Sequence, residues 1–183
     1  MIGILTLGLL LWSFAHFLKR LAPGIRAQMG GAGRAIVTAL IVAGLVLMIV
    51  GYRGAAFIPI WQPPSFFMHI NNLLMLVAVF VFASSHTKGR LRGWTRHPML
   101  ISVKIWAIAH LLVNGDLASI LLFGGLLAWA VLSVILINRA VPDWKRPAPG
   151  NAKRDIIFVA ASLGVFALIC AVHIWLGVWP FPT

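Results

Sequence analysis

Arg96-His97-Pro98-Met99-Leu100 opens a run that continues through Val103-Lys104-Ile105-Trp106-Ala107-Ile108-Ala109-His110-Leu111-Leu112 and closes at Asn114-Gly115-Asp116. A basic segment leads in and a polar turn leads out. Between them lies an apolar helix carrying one lysine and one histidine. Whether this stretch sits in a membrane decides the fold, because ionisable groups inside a bilayer are costly and read as functional by default.

Composition answers that question. The chain of 183 residues is 61% hydrophobic and 10% charged, too apolar for a soluble domain of its length. Six apolar runs stand out, at 2–18, 35–52, 65–85, 98–114, 117–138 and 156–178. Each is near the roughly 20 residues that a spanning helix needs. The runs are continuous rather than alternating and are rich in Leu and Ala, which argues against strands. The expectation is an all-α integral membrane protein, a bundle of about six transmembrane helices forming a single domain over 1–183.

The net charge of +12 follows the loops. Thirteen of the fifteen Lys and Arg residues fall in alternate connections: Lys19 to Arg34, Lys88 to Arg96, and Arg139 to Arg154. The other two connections hold only Arg53. This asymmetry follows the positive-inside rule and places both termini on the non-cytoplasmic side. Topology and anionic lipid headgroups account for the charge, so the bilayer is the expected partner and nucleic acid is not. The first run lacks a basic n-region and a small-residue cleavage site, so it reads as a retained anchor. Trp61, Trp175 and Trp179 fall at one expected boundary and Trp94 and Trp144 at the other, where aromatic belts form. Gly124-Gly125, with Ala128 and Ala130, reads as ordinary helix packing rather than as a close-approach motif.

Six histidines stand against three acidic residues. His86 and His97 fall at the basic boundary, where solvation explains them. His16, His69, His110 and His173 lie within apolar runs. Helical rise puts His110 about 20 Å and His69 about 25 Å from the basic boundary, with His173 at a similar level. His69 and Asn72 share a helix face by spacing, as do His110 and Asn114. Asp116 follows just beyond. Imidazole ligates haem iron, and helix bundles build such sites in their cores. Two neutral histidines on facing helices suit haem b, with Trp12 and Trp106 either filling the core or flanking a planar ligand. Interhelical hydrogen bonding is the plainer role for such histidines. Without an intramembrane carboxylate, a hard-cation or di-iron site is not expected. Lys104 shares a face with His97 and either snorkels to the boundary or neutralises a buried anion such as a haem propionate. The single Cys170 excludes an internal disulfide, and no CxxCH haem-attachment motif is present.

The segment 96–116, with Phe123-Gly124-Gly125, Trp12-Ser13-Phe14-Ala15-His16 and Trp61-Gln62-Pro63-Pro64, resembles the NnrU family of bacterial inner-membrane proteins over nearly the whole chain. That resemblance implies a multi-pass protein of the bacterial inner membrane associated with denitrification, supporting expression or activity of nitrite and nitric oxide reductases. The family is similar in turn to 15-cis-zeta-carotene isomerase, which uses haem b. In that relative a first-helix histidine and the histidine of an Ala-His pair after an Arg-His-Pro motif are implicated as iron ligands, which match His16 and His110. A cysteine tied to its ligand switch is replaced here by Ala107, so no carotenoid substrate is inferred.

The resemblance therefore pairs His16 with His110, whereas helical depth pairs His69 with His110. Lys104, His97 and Asn114 complete the expected cofactor-binding set, and no catalytic residue is assigned. The leading expectation is a haem-b protein supporting nitrogen-oxide respiration through redox, sensing or haem handling. The alternatives are a membrane isomerase or methyltransferase acting on isoprenoids, and a non-catalytic partner of a reductase complex.

Overall fold

With no water to bond to inside a bilayer, the backbone of an apolar run has to satisfy itself, and an α-helix does so within one segment. In the computed structural model, which describes residues 1–181, the regular elements are helices, and no strand is found among those residues beyond an isolated bridge between Pro59 and Asp116. The order is α1 (Ile2–Leu21), α2 (Pro23–Gln28), a 3₁₀ turn (Gly30–Ala32), α3 (Gly33–Arg53), α4 (Phe67–Ser84), α5 (Pro98–Val113), α6 (Leu117–Ala140) and α7 (Lys153–Trp175). The six expected runs each carry one of the long helices. The basic connection 19–34 holds α2 and the 3₁₀ turn. Pro23 occupies the first turn of α2, where its missing N–H would have had no partner anyway.

Five helical segments, Ile2–Leu21, Gly30–Arg53, Phe67–Ser84, Leu117–Ala140 and Lys153–Trp175, are long and apolar enough to cross a membrane. The sixth, α5, has 16 residues, or about 24 Å of rise against a hydrocarbon core of about 30 Å. Its ends are fixed chemically. Pro98 starts it, with the His97 carbonyl accepting from Ile101 N–H at 2.9 Å, and the Asn-Gly-Asp turn stops it after Val113. Large apolar side chains point outward, as a lipid solvent allows: Ile156 is 74% exposed, Leu168 63% and Trp175 82%. The chain is a multi-pass membrane protein.

The helices group into two compact units. One comprises Met1–Gln62 and Asn114–Pro142, with α1, α2, α3 and α6; the other comprises Pro63–Val113 and the chain from Asp143 onward, with α4, α5 and α7. In the first unit α1 and α3 touch backbone to backbone through glycines. A Cβ on Gly8 would lie 2.6 Å from Met48 N, and one on Gly44 would lie 2.9 Å from Trp12 N. A Cβ on Gly51 would strike the backbone of Leu5. Small residues permit such approach where hydrophobic driving force between helices is absent. Gly124 faces open space and Gly125 meets only the Leu9 side chain, which is ordinary packing.

The turn after α5 is part of the same unit. Gly115 C=O accepts from Ile60 N–H at 2.8 Å and Trp61 N–H at 3.1 Å, and Ile58 C=O accepts from Leu117 N–H at 2.9 Å. Asp116 caps α6, accepting from Ser119 N–H at 3.0 Å and from the Ser119 hydroxyl. Ser119 Oγ also lies 3.0 Å from Tyr52 Oη, tying the cap to α3.

In the second unit, polar side chains seal α4 against α5. Asn71 donates to Ala109 C=O at 2.9 Å and Ser102 donates to Ala78 C=O at 2.8 Å. Ala78, Ala107 and Ala109 are buried beside them. Phe80 and Phe158 join α4 to α7 edge to face, with centroids 5.6 Å apart.

Gly44→Leu is expected to destabilise the protein by at least the 1–3 kcal/mol typical of overpacking, because the obstructing atoms are backbone. Gly124→Ala should leave stability within about 0.5 kcal/mol of wild type. Thermal unfolding in detergent checks both, and equal effects would refute the assignment of the close contact.

Candidate histidine sites

An imidazole in an apolar helix has few acceptors within reach, and the nearest is the carbonyl one turn back. His16 on α1 uses it: its Nδ1 lies 2.8 Å from Trp12 C=O. His110 on α5 does the same with Trp106 C=O at 2.9 Å, and His173 on α7 with Ile169 C=O at 2.8 Å. A carbonyl oxygen only accepts, so Nδ1 carries the proton in each case. The neutral ring then presents its Nε2 lone pair, the form in which histidine ligates a metal, with the other nitrogen anchored.

His16 and His110 share more than that bond. Each is preceded four residues earlier by a tryptophan whose ring packs on it. Trp12 and His16 have centroids 4.3 Å apart at 39°, and Trp106 and His110 lie 5.1 Å apart at 49°. Each also follows a buried alanine, Ala15 or Ala109. The pattern Trp-x-x-Ala-His thus occurs twice, once in each unit.

In the first unit a third ring joins. Trp129 of α6 stands edge-on to His16 at 4.9 Å and to Trp12 at 5.5 Å. The indole Nε1 atoms of both Trp12 and Trp129 are buried without a hydrogen-bond partner among the described residues. Leaving a buried donor unsatisfied costs about 1–3 kcal/mol. Three rings therefore bring together one acceptor, His16 Nε2, and two unused donors.

The second unit places the remaining candidates. The Asn71–Ala109 bond sets α4 and α5 in register, so His69 and His110 stand at nearly the same height. Asn71, not Asn72, is the residue that faces α5. His69 is about 200° around α4 from Asn71 and is exposed, so its ring is aimed away from α5. His173 lies on α7, in the same unit as His110. Lys104 is half-buried on α5, His97 is half-buried in the residue before α5, and Asn114 lies in the turn beyond the helix end. Asp116, whose carboxylate caps α6, is committed to structure. No group of three or more His, Cys, Asp or Glu residues converges among the described residues, so no protein-built cage of the zinc type is present there.

Sequence reasoning found the histidines but missed their shared setting. The repeated Trp-x-x-Ala-His spacing was there to be read, since residues four apart share a helix face. Trp129 carried no signal, because its approach to His16 depends on how α6 packs against α1.

Comparison with known protein families matches the chain to the family described as NnrU protein, over residues 4–180. No curated protein and no solved structure matches the chain.

Trp129→Phe keeps an aromatic ring and removes an unpaired donor, so it should unfold within about 1 kcal/mol of wild type, whereas Trp129→Ala should lose about 3–5 kcal/mol. Thermal melts of the ligand-free protein decide it. A Phe variant as damaged as the Ala variant would mean that the indole N–H has a partner after all.

Proposed function

The chain belongs to the NnrU family, and from that premise we propose that it is a haem-b-binding membrane protein of the bacterial inner membrane. In this reading it supports denitrification, through the expression or activity of nitrite and nitric oxide reductases. The observation that carries the proposal is the doubled Trp-x-x-Ala-His device. Each imidazole is held by its Nδ1 proton, offers Nε2, and is flanked by an indole able to cover a planar ligand. Apolar surroundings and the want of carboxylates suit a macrocycle better than a hard cation.

Bound haem would supply one-electron redox chemistry and a site for small nitrogen oxides. The chain's own residues supply the rest. His110 is the proposed iron ligand, and the backbone carbonyl of Trp106 fixes its tautomer. His16, held in the same way by Trp12, is the partner that the resemblance names. Lys104 offers a cation to a propionate, and the unused indole donors of Trp12 and Trp129 are suited to an acceptor group on a ligand. Ala107 supplies no thiolate, which weighs against an isomerase that switches iron ligands.

One observation favours a second partner. His173 lies in the same unit as His110 and carries the same Nδ1-to-carbonyl bond. Purified full-length protein, as isolated or reconstituted with haem, is expected to show a Soret band that His110→Ala loses while the variant remains folded. Loss of the low-spin bands in His16→Ala but not His173→Ala identifies His16 as the second ligand, and the converse identifies His173. Lys104→Met should weaken haem retention several-fold without altering the bands. Folded wild-type protein that stays colourless after reconstitution would sink the haem reading.

A further inference from the structure

A cavity of about 410 Å³ opens in the second unit between α4 and α7, at the basic end of both helices. Its two ends differ in chemistry. Val79 on α4 and Phe158, Ala161 and Val165 on α7 form apolar walls, whereas His86, Lys88 and Arg154 stand at the other end. From Arg154 to Val165 the α7 wall rises about 16 Å. This is the profile of an amphiphile with an anionic head and a hydrocarbon tail.

The charge at the polar end is not neutralised by the protein. Asp155, next in sequence to Arg154, is taken by Arg90, which donates to it from both the backbone N–H at 2.8 Å and Nε. Among the described residues Lys88 and Arg154 make no ion pair. The loop that bears Lys88 is also held in place. Gly150 N–H donates to Gly89 C=O at 3.0 Å, and Arg146 Nε donates to Gly93 C=O at 3.0 Å. The two cations are thereby set on a fixed rim rather than on a loose tail, and basic pockets between membrane helices favour phosphate headgroups.

We propose that this groove is a binding site for one anionic phospholipid, its phosphate held by Lys88 and Arg154 and an acyl chain lying along Phe158, Ala161 and Val165. The site is independent of the candidate iron ligands His16, His110 and His173 and stands whether or not haem is bound.

The test uses delipidated full-length protein and native mass spectrometry, with phosphatidylglycerol and phosphatidylcholine of matched chains. One phosphatidylglycerol should be retained at least tenfold more tightly than phosphatidylcholine. Lys88→Ala with Arg154→Ala should remove most of that preference. Ala161→Phe, which fills the tail groove and leaves the cations in place, should also lower retention, whereas Lys19→Ala with Arg20→Ala should not. Inorganic phosphate at millimolar concentration should compete poorly. Equal retention of both lipids, equal loss in the Lys19/Arg20 variant, or full displacement by inorganic phosphate would each overturn the proposal. If Ala161→Phe fails to fold, the two charge variants still decide it.

Discussion

A polar side chain in an apolar helix has almost nothing to bond with except backbone carbonyls, and this constraint organises both units. His16, His110 and His173 turn back to the carbonyl four residues before them. Ser162 does likewise with Phe158 C=O. Asn71 and Ser102 reach instead across to carbonyls of the neighbouring helix. The first class fixes side-chain orientation without joining helices. The second joins helices at the positions where alanine lets them come close. Tautomer control and helix pairing are therefore two outcomes of one shortage of acceptors.

The two units solve packing differently. Where α1 meets α3, glycine removes the side chain altogether and backbones touch, so shape alone holds the pair. Where α4 meets α5, small residues leave room for two side-chain-to-backbone bonds. The first solution is intolerant of any added carbon, while the second is intolerant of losing a donor and leaving a carbonyl unpaired. The polar turn at Asn114-Gly115-Asp116 belongs to the first unit for a related reason. Its carbonyl and carboxylate are consumed by Ile60, Trp61 and Ser119, so a turn that looked like part of a histidine pocket is a structural joint.

Most of the fold was legible in the sequence because continuous apolar runs admit only helices. The basic loops marked the helix ends, and Pro98 marked the start of α5. The short helix inside the connection 19–34 was not legible, since a Pro-Gly pair favours turns by type, whereas Pro23 opens a six-residue helix. The site was legible only in part. His16 and His110 stood out as polar atoms in apolar runs, and the four-residue spacing that ties Trp12 and Trp106 to them was in the sequence but went unread. Which asparagine faces α5, and that Trp129 joins His16, depend on the rotation of one helix against another. That rotation is set by packing along the whole contact and leaves no trace in local spacing.

The repeated Trp-x-x-Ala-His device does not make its two histidines chemically equivalent. Around His16 the neighbouring polar atoms are indole N–H groups, which can only donate. They suit a ligand that brings acceptors and would do nothing for one that brings cations. His110 shares its unit with His173 and its helix with Lys104. A second positive charge there is unfavourable unless an anion accompanies it. A neutral imidazole with its Nδ1 proton held by Trp106 C=O is the form that ligation demands. The carbonyl that anchors Nδ1 is what leaves the Nε2 lone pair of His110 available for ligation.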